Sequence, residues 1–130
     1  MKKYLLLGLL AASTLVTAQT ATMSRDEYRA AKQRIEAQED TEEARCAALQ
    51  GNAKDVCEEE AEGREKVARA ELEQRYEPSA RNIRKLAMAR INAVYDVAKE
   101  KCEALTGAAE DSCEKQAKSE RDSARAQVKK

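Results

Sequence analysis

The chain has no histidine, no tryptophan and no phenylalanine, and its 130 residues include only one proline, four glycines and four tyrosines. Each shortage removes a class of answer. Without His, a zinc centre would rest on the four cysteines alone, and their Cys-x10-Cys spacing is not that of zinc ligands. No Ser stands in a recognisable nucleophile setting, and no glycine-rich loop could cradle phosphate. Acidic pairs are not distinguishable from an ordinary helix surface. The chain therefore reads as not an enzyme, with no catalytic, cofactor-binding or metal-ligating residue expected. Cys-x10-Cys is also not the Cys-x-x-Cys of thiol oxidoreductases. Few aromatics means few large buried side chains. The interior must be Ala, Val, Leu and Ile, and thin. The absence of an aromatic ladder speaks against nucleic acid as a partner.

What is abundant is Ala, Glu, Lys and Arg, a composition of long helices or a coiled coil. Met1-Lys2-Lys3, the apolar run Tyr4 to Val16 and the small residues up to Ala18 read as a secretory signal peptide cut after Ala18. An uncleaved membrane anchor is the alternative. The run is shorter than the ~20 residues of a bilayer span, and Ser13, Thr14 and Thr17 dilute it. No stable membrane span is expected after cleavage, and the expected location is the periplasm. Lipoprotein processing finds no acceptor, since no Cys follows the run. In an oxidising compartment, thin helical cores are commonly reinforced by disulfides.

The most informative stretch is Cys46-Ala-Ala-Leu-Gln-Gly-Asn-Ala-Lys-Asp-Val-Cys57. Gly51 can end one helix in a left-handed conformation. Asn52 is a good N-cap, with Asp55 placed as a capping-box acid. A corner of two or three residues is therefore expected, with Cys46 about a turn before it and Cys57 about a turn after. Ala47, Ala48, Ala53 and Ala61 are small enough to let the backbones approach. The pattern returns at Cys102-Glu-Ala-Leu-Thr-Gly-Ala-Ala-Glu-Asp-Ser-Cys113. A shift of 56 residues superposes the halves, aligning Arg34-Ile35 with Arg90-Ile91, Leu49 with Leu105, Gly51 with Gly107 and Asp55 with Asp111. Two copies of one unit follow: helix, stapled turn, helix. The second copy has Ala108 in place of Asn52, which leaves its turn less well determined.

Four cysteines allow three pairings. Cys46–Cys57 and Cys102–Cys113 are expected, because each pair straddles a Gly at a corner. Cross-pairing would require the two tips to meet, whereas an up-down chain separates successive corners by a helix length. Hairpins stacked in parallel would bring the tips together, and two unpaired buried thiols per unit is the plainer alternative.

The first helix opens at the capping box Ser24-Arg-Asp-Glu27, with Tyr28, Ala31, Ile35, Glu42, Cys46 and Leu49 near one face. The second carries Cys57, Ala61, Arg64, Ala68, Leu72 and Tyr76 on one side and ends at Pro78. The third, from about Ser79 to Leu105, has the clearest apolar face: Ile83, Ala87, Ile91, Val94, Ala98, Cys102 and Leu105. It is expected to be the most buried element. The fourth has little beyond Cys113, Ala117, Ala124 and Val128, and should fray from Ser119 to Lys130. The predicted fold is all-α: two tandem disulfide-stapled helical hairpins forming an elongated antiparallel bundle or coiled coil. The divisions are a signal peptide over 1–18, a first hairpin over 19–77 and a second over 78–130.

Residues 19–77 carry 10 basic and 16 acidic side chains, a net of −6, and residues 78–130 carry 12 and 8, a net of +4. Opposite halves favour packing of the hairpins on each other or head-to-tail self-association.

Gly51 to Cys57, followed by Glu60-Ala-Glu-Gly63 and Val67-Ala-Arg-Ala-Glu-Leu-Glu73, resembles a group of small exported proteobacterial proteins. Some of them are labelled cell-envelope-biogenesis or TolA-like. The resemblance covers most of the chain after Ala18 and implies an envelope location without an assigned activity. The likeness to the TolA stalk is one of Ala/Lys/Glu-rich composition. The expected function is that of a non-enzymatic structural or interaction protein of the periplasm, whose partner is an unspecified envelope protein or a second copy. The alternative is a holdase-type chaperone or envelope stress protein with an exposed apolar groove.

Overall fold

Ser24 starts the first helix by the expected device. Its hydroxyl accepts from the Glu27 backbone N–H at 3.2 Å, and the Glu27 carboxylate accepts from the Ser24 N–H at 2.7 Å. A computed structural model describes residues 22–128, in which the regular elements are four α-helices. They are α1 (Arg25–Cys46), α2 (Asn52–Tyr76), α3 (Ala80–Cys102) and α4 (Ala108–Val128). The signal peptide expected over residues 1–18 lies outside the described residues.

Pro78 sets the central corner. Glu77, before it, leaves the helical region at φ −130° and ψ 82°, as a residue preceding proline must. Ser79 then caps α3 by accepting from the Asn82 N–H at 3.1 Å. The Asn82 side chain turns back to α2 and donates from Nδ2 to the Glu77 carbonyl at 2.8 Å. It is only 6% exposed. One buried amide thus satisfies a carbonyl that the end of α2 leaves without a helical partner.

Successive helices run antiparallel. Tyr28 at the start of α1 stacks on Tyr76 at the end of α2, with centroids 4.4 Å apart, and its hydroxyl donates to Glu73. Gly63 in α2 lies against Ala93 in α3. In α4, the Arg121 guanidinium sits 4.2 Å from the centre of the Tyr95 ring, and Arg125 donates to the Asn92 side chain at 2.5 Å. Among the described residues each helix packs only on its neighbours in sequence. α1 and α4 do not touch, so the bundle does not close. The four helices form one open layer.

Two expectations are corrected here. α3 is not the most buried element. Its buried residues are Asn82 and Cys102, whereas α2 buries Ala61, Gly63 and Leu72. α2 and α3 lie on either side of one seam in a single layer, and no described element covers the broad face between them. The apolar stripe of α3 is wider than its two neighbours can cover, which leaves Val94 70% and Ile83 57% exposed. The second correction concerns α4, which does not fray from Ser119 but remains helical to Val128. Arg121 and Arg125 tie its last turns to Tyr95 and Asn92 of α3, a role its sparse apolar pattern did not reveal.

Candidate functional site

The disulfides form as Cys46–Cys57 and Cys102–Cys113, with Cα atoms 5.5 and 5.6 Å apart. Cys46 and Cys102 are fully buried where α1 and α3 end. Each corner then follows the same path. Leu49 N–H donates to the Cys46 carbonyl at 2.9 Å, and Leu105 N–H to the Cys102 carbonyl at 2.9 Å. Gly51 and Gly107 stand at φ 58° and 60°, a region other residues enter only with strain. The corner is longer than expected, spanning residues 47–51 and 103–107. Leu49 and Leu105, placed by periodicity on the inner faces, fall in these corners and are each 42% exposed. Ala47, Ala48 and Ala53 are exposed too, so of the four small residues only Ala61 mediates close approach.

Asn52 is not the cap. Gly51 takes the N-cap position with no side-chain bond, and Asn52 is the first residue of α2. Its Nδ2 donates instead to the Glu100 carbonyl of α3 at 2.7 Å. This bond shows that the two stapled corners sit at the same end of the layer. The expected helix-length separation holds for successive corners, and the stapled ones are alternate corners. Cross-pairing is avoided by the local geometry of each corner, not by distance between the tips. Ala108 replaces Asn52 in the second unit without loosening its corner, because the difference lies in the contact between hairpins. Among the described residues α4 packs only on α3.

On one side of the layer, α2 and α3 border an open groove of ≈ 910 Å³. Its floor and walls are Gly63, Val67, Ala93, Val94, Val97 and Ala98. Ion pairs cross it near both ends: Lys101 to Glu60 at 3.5 Å and Arg90 to Glu71 at 2.6 Å. The acids belong to α2 and the cations to α3. A neighbouring groove between α1 and α2 is lined by Ala31, Ile35, Ala68 and Leu72, and is bridged by Arg64 to Glu42 at 2.6 Å.

Protonation shifts are those of helix packing. Hydrogen bonds from Gln38 and Arg64 hold the Glu42 carboxyl below its usual range. Burial, reinforced by Glu103, Asp55 and Glu59 nearby, pushes Glu100 up. Donation to Glu73 raises the Tyr28 hydroxyl. Among the described residues no group of three or more Cys, Asp or Glu is placed to hold a metal ion. No described helix is long and apolar enough to cross a membrane.

No protein-family model matches the chain, and neither a curated protein nor a solved structure does. Asn52 does not have the capping role expected of it, and the packing roles of Asn82 and Gly63 escaped the sequence reading. Only Gly63 left a signal. A glycine inside an Ala/Glu-rich helix costs ~1 kcal/mol relative to Ala, and so implies a packing reason. That reason is Ala93.

Proposed function

We propose that the protein is a non-catalytic helical interaction protein of the periplasm, which binds a helical partner along the uncovered face of α2 and α3. The observation that carries the reading is the exposure of Val94, at 70%, in the middle of an apolar groove. A layer one helix thick leaves the face of its most apolar helix unpaired, and exposed apolar grooves are typical docking surfaces. Two disulfides, with no free cysteine among the described residues, fit an oxidising compartment outside the cytoplasm. The resemblance of the Cys-repeat to exported proteobacterial proteins points the same way.

The test is site-specific photo-crosslinking in cells, with the reactive residue at position 94 or at the exposed Lys118 as control. The expected result is a discrete adduct from position 94 and none from position 118. No adduct from position 94 would overturn the docking reading. Sequencing of the periplasmic protein should give Gln19 as its first residue, and recovery of the Met1-containing chain in the inner membrane would overturn the assigned location.

The openness of the same groove also favours the holdase reading. A holdase would bind an apolar dye and suppress aggregation of a reduced client protein in proportion to its own concentration. A dedicated helix-binding protein would not suppress it.

A further inference from the structure

We infer that the occupant of the α2–α3 face is a second copy of the chain, laid face to face about a two-fold axis that runs along the groove. The inference rests on the docking reading above and names its partner. Charge selects the arrangement. Glu60 and Glu71 stand on the α2 side of the groove, level with Lys101 and Arg90 on the α3 side. A two-fold axis parallel to the helices places α2 of one copy over α3 of the other without changing the level of any residue. Glu71 then faces the second copy's Arg90, and Glu60 its Lys101. Val67 and Val94, which line the same groove between these pairs, face each other as an apolar centre. A two-fold axis across the helices would instead lay acids over acids and cations over cations. The favoured arrangement also sets the hairpin of net charge −6 over the one of +4.

Size is adequate. Helices of 21 to 25 residues are roughly 33 Å long, and four of them side by side span ~27 Å between outer axes. The face is therefore ~900 Å² per copy, or ~1,800 Å² in total, within the range of stable interfaces. Edge-to-edge stacking of hairpins does not compete. In the 56-residue register, Gly63 and Val67 of α2 become Ser119 and Ser123 of α4, both exposed. Val94 and Val97 of α3 become Gln38 and Thr41 of α1, again both exposed. The outer edges of α1 and α4 are therefore polar where the α2–α3 seam is apolar.

Sedimentation equilibrium of the oxidised chain from Gln19 onward tests the assignment, over roughly 1–100 μM, the span in which weak and moderate dimers dissociate. The wild type should reach twice the chain mass. Val94→Asp should remain at the chain mass throughout, with unchanged circular dichroism because Val94 is exposed. Glu71→Arg and Arg90→Glu should each raise the dimer dissociation constant at least ~10-fold, and the double charge swap should restore it. A wild type that stays at the chain mass over the whole range would overturn the second copy as occupant. In that case an adduct from position 94 with another protein would leave the docking reading standing. A dimer that survives Val94→Asp, or a charge swap that fails to restore association, would overturn the assigned face.

Discussion

Gly63→Ala is the most direct test of how α2 and α3 are held together. In an isolated helix the change would stabilise by ~0.8–1.0 kcal/mol, since glycine loses more backbone freedom on folding than any other residue. The fold reverses the sign. A Cβ added to Gly63 would lie 3.0 Å from Ala93 Cβ and 3.5 Å from Ala93 Cα. The Ala93 methyl is fixed to the α3 backbone and has no rotamer to turn aside. Relief requires the two helices to part, and overpacking of this kind costs ~1–3 kcal/mol. The balance is a destabilisation of ~1 kcal/mol, which for a domain of this size lowers Tm by ~4–8 °C. Urea and thermal unfolding followed by circular dichroism would measure it. The companion variant Gly63→Ala/Ala93→Gly moves the methyl across the interface. It should be more stable than the sum of its single changes by ~1 kcal/mol, because the two residues touch. A Gly63→Ala protein that melts above the wild type, or a cycle without coupling, would refute the close-approach argument.

Three further outcomes are expected. Removal of one staple as Cys102→Ala/Cys113→Ala should cost about 3 kcal/mol, the loop-entropy value for a sequence separation of 11, while leaving much of the helical signal at low temperature. Peptide mapping of the non-reduced protein should yield linked peptides within each pair, and a peptide joining the first pair to the second would contradict the structure. Asn82→Ala should cost ~1–3 kcal/mol in urea unfolding, because the Glu77 carbonyl loses its buried donor. A change within about 0.5 kcal/mol, the usual scatter of a surface substitution, would show that this carbonyl finds water instead.

The local features were legible in the chain because their causes are local. Ser24 and Glu27 reach each other within one turn. Gly51 and Gly107 each take a positive φ, and each cysteine pair straddles its own corner. Pro78 stops α2 through its own ring. None of these needs a distant residue, so spacing alone was enough for the four helices, the two hairpins and the disulfide pairing. Apart from the length of the stapled corners, which a local pattern misjudged, the assignments that failed were questions of what lies opposite. Asn52 has the chemistry of a cap, and only the arrival of the α3 C-terminus beside it turned its amide toward Glu100. Asn82 reads as an ordinary polar residue of a first turn until the end of α2 is placed over it. Periodicity marked Ile83 and Val94 as apolar-face residues, but periodicity gives the direction of a face and not whether anything covers it. α1 and α4 stay apart, so that face remains open. The chain by itself thus determined where helices begin and are stapled, and where they end to within a few residues, through local interactions. That the layer stays open, that α2 is more buried than α3 and that the groove is exposed were decided only by contacts between helices, among them the close approach at Gly63 and Ala93.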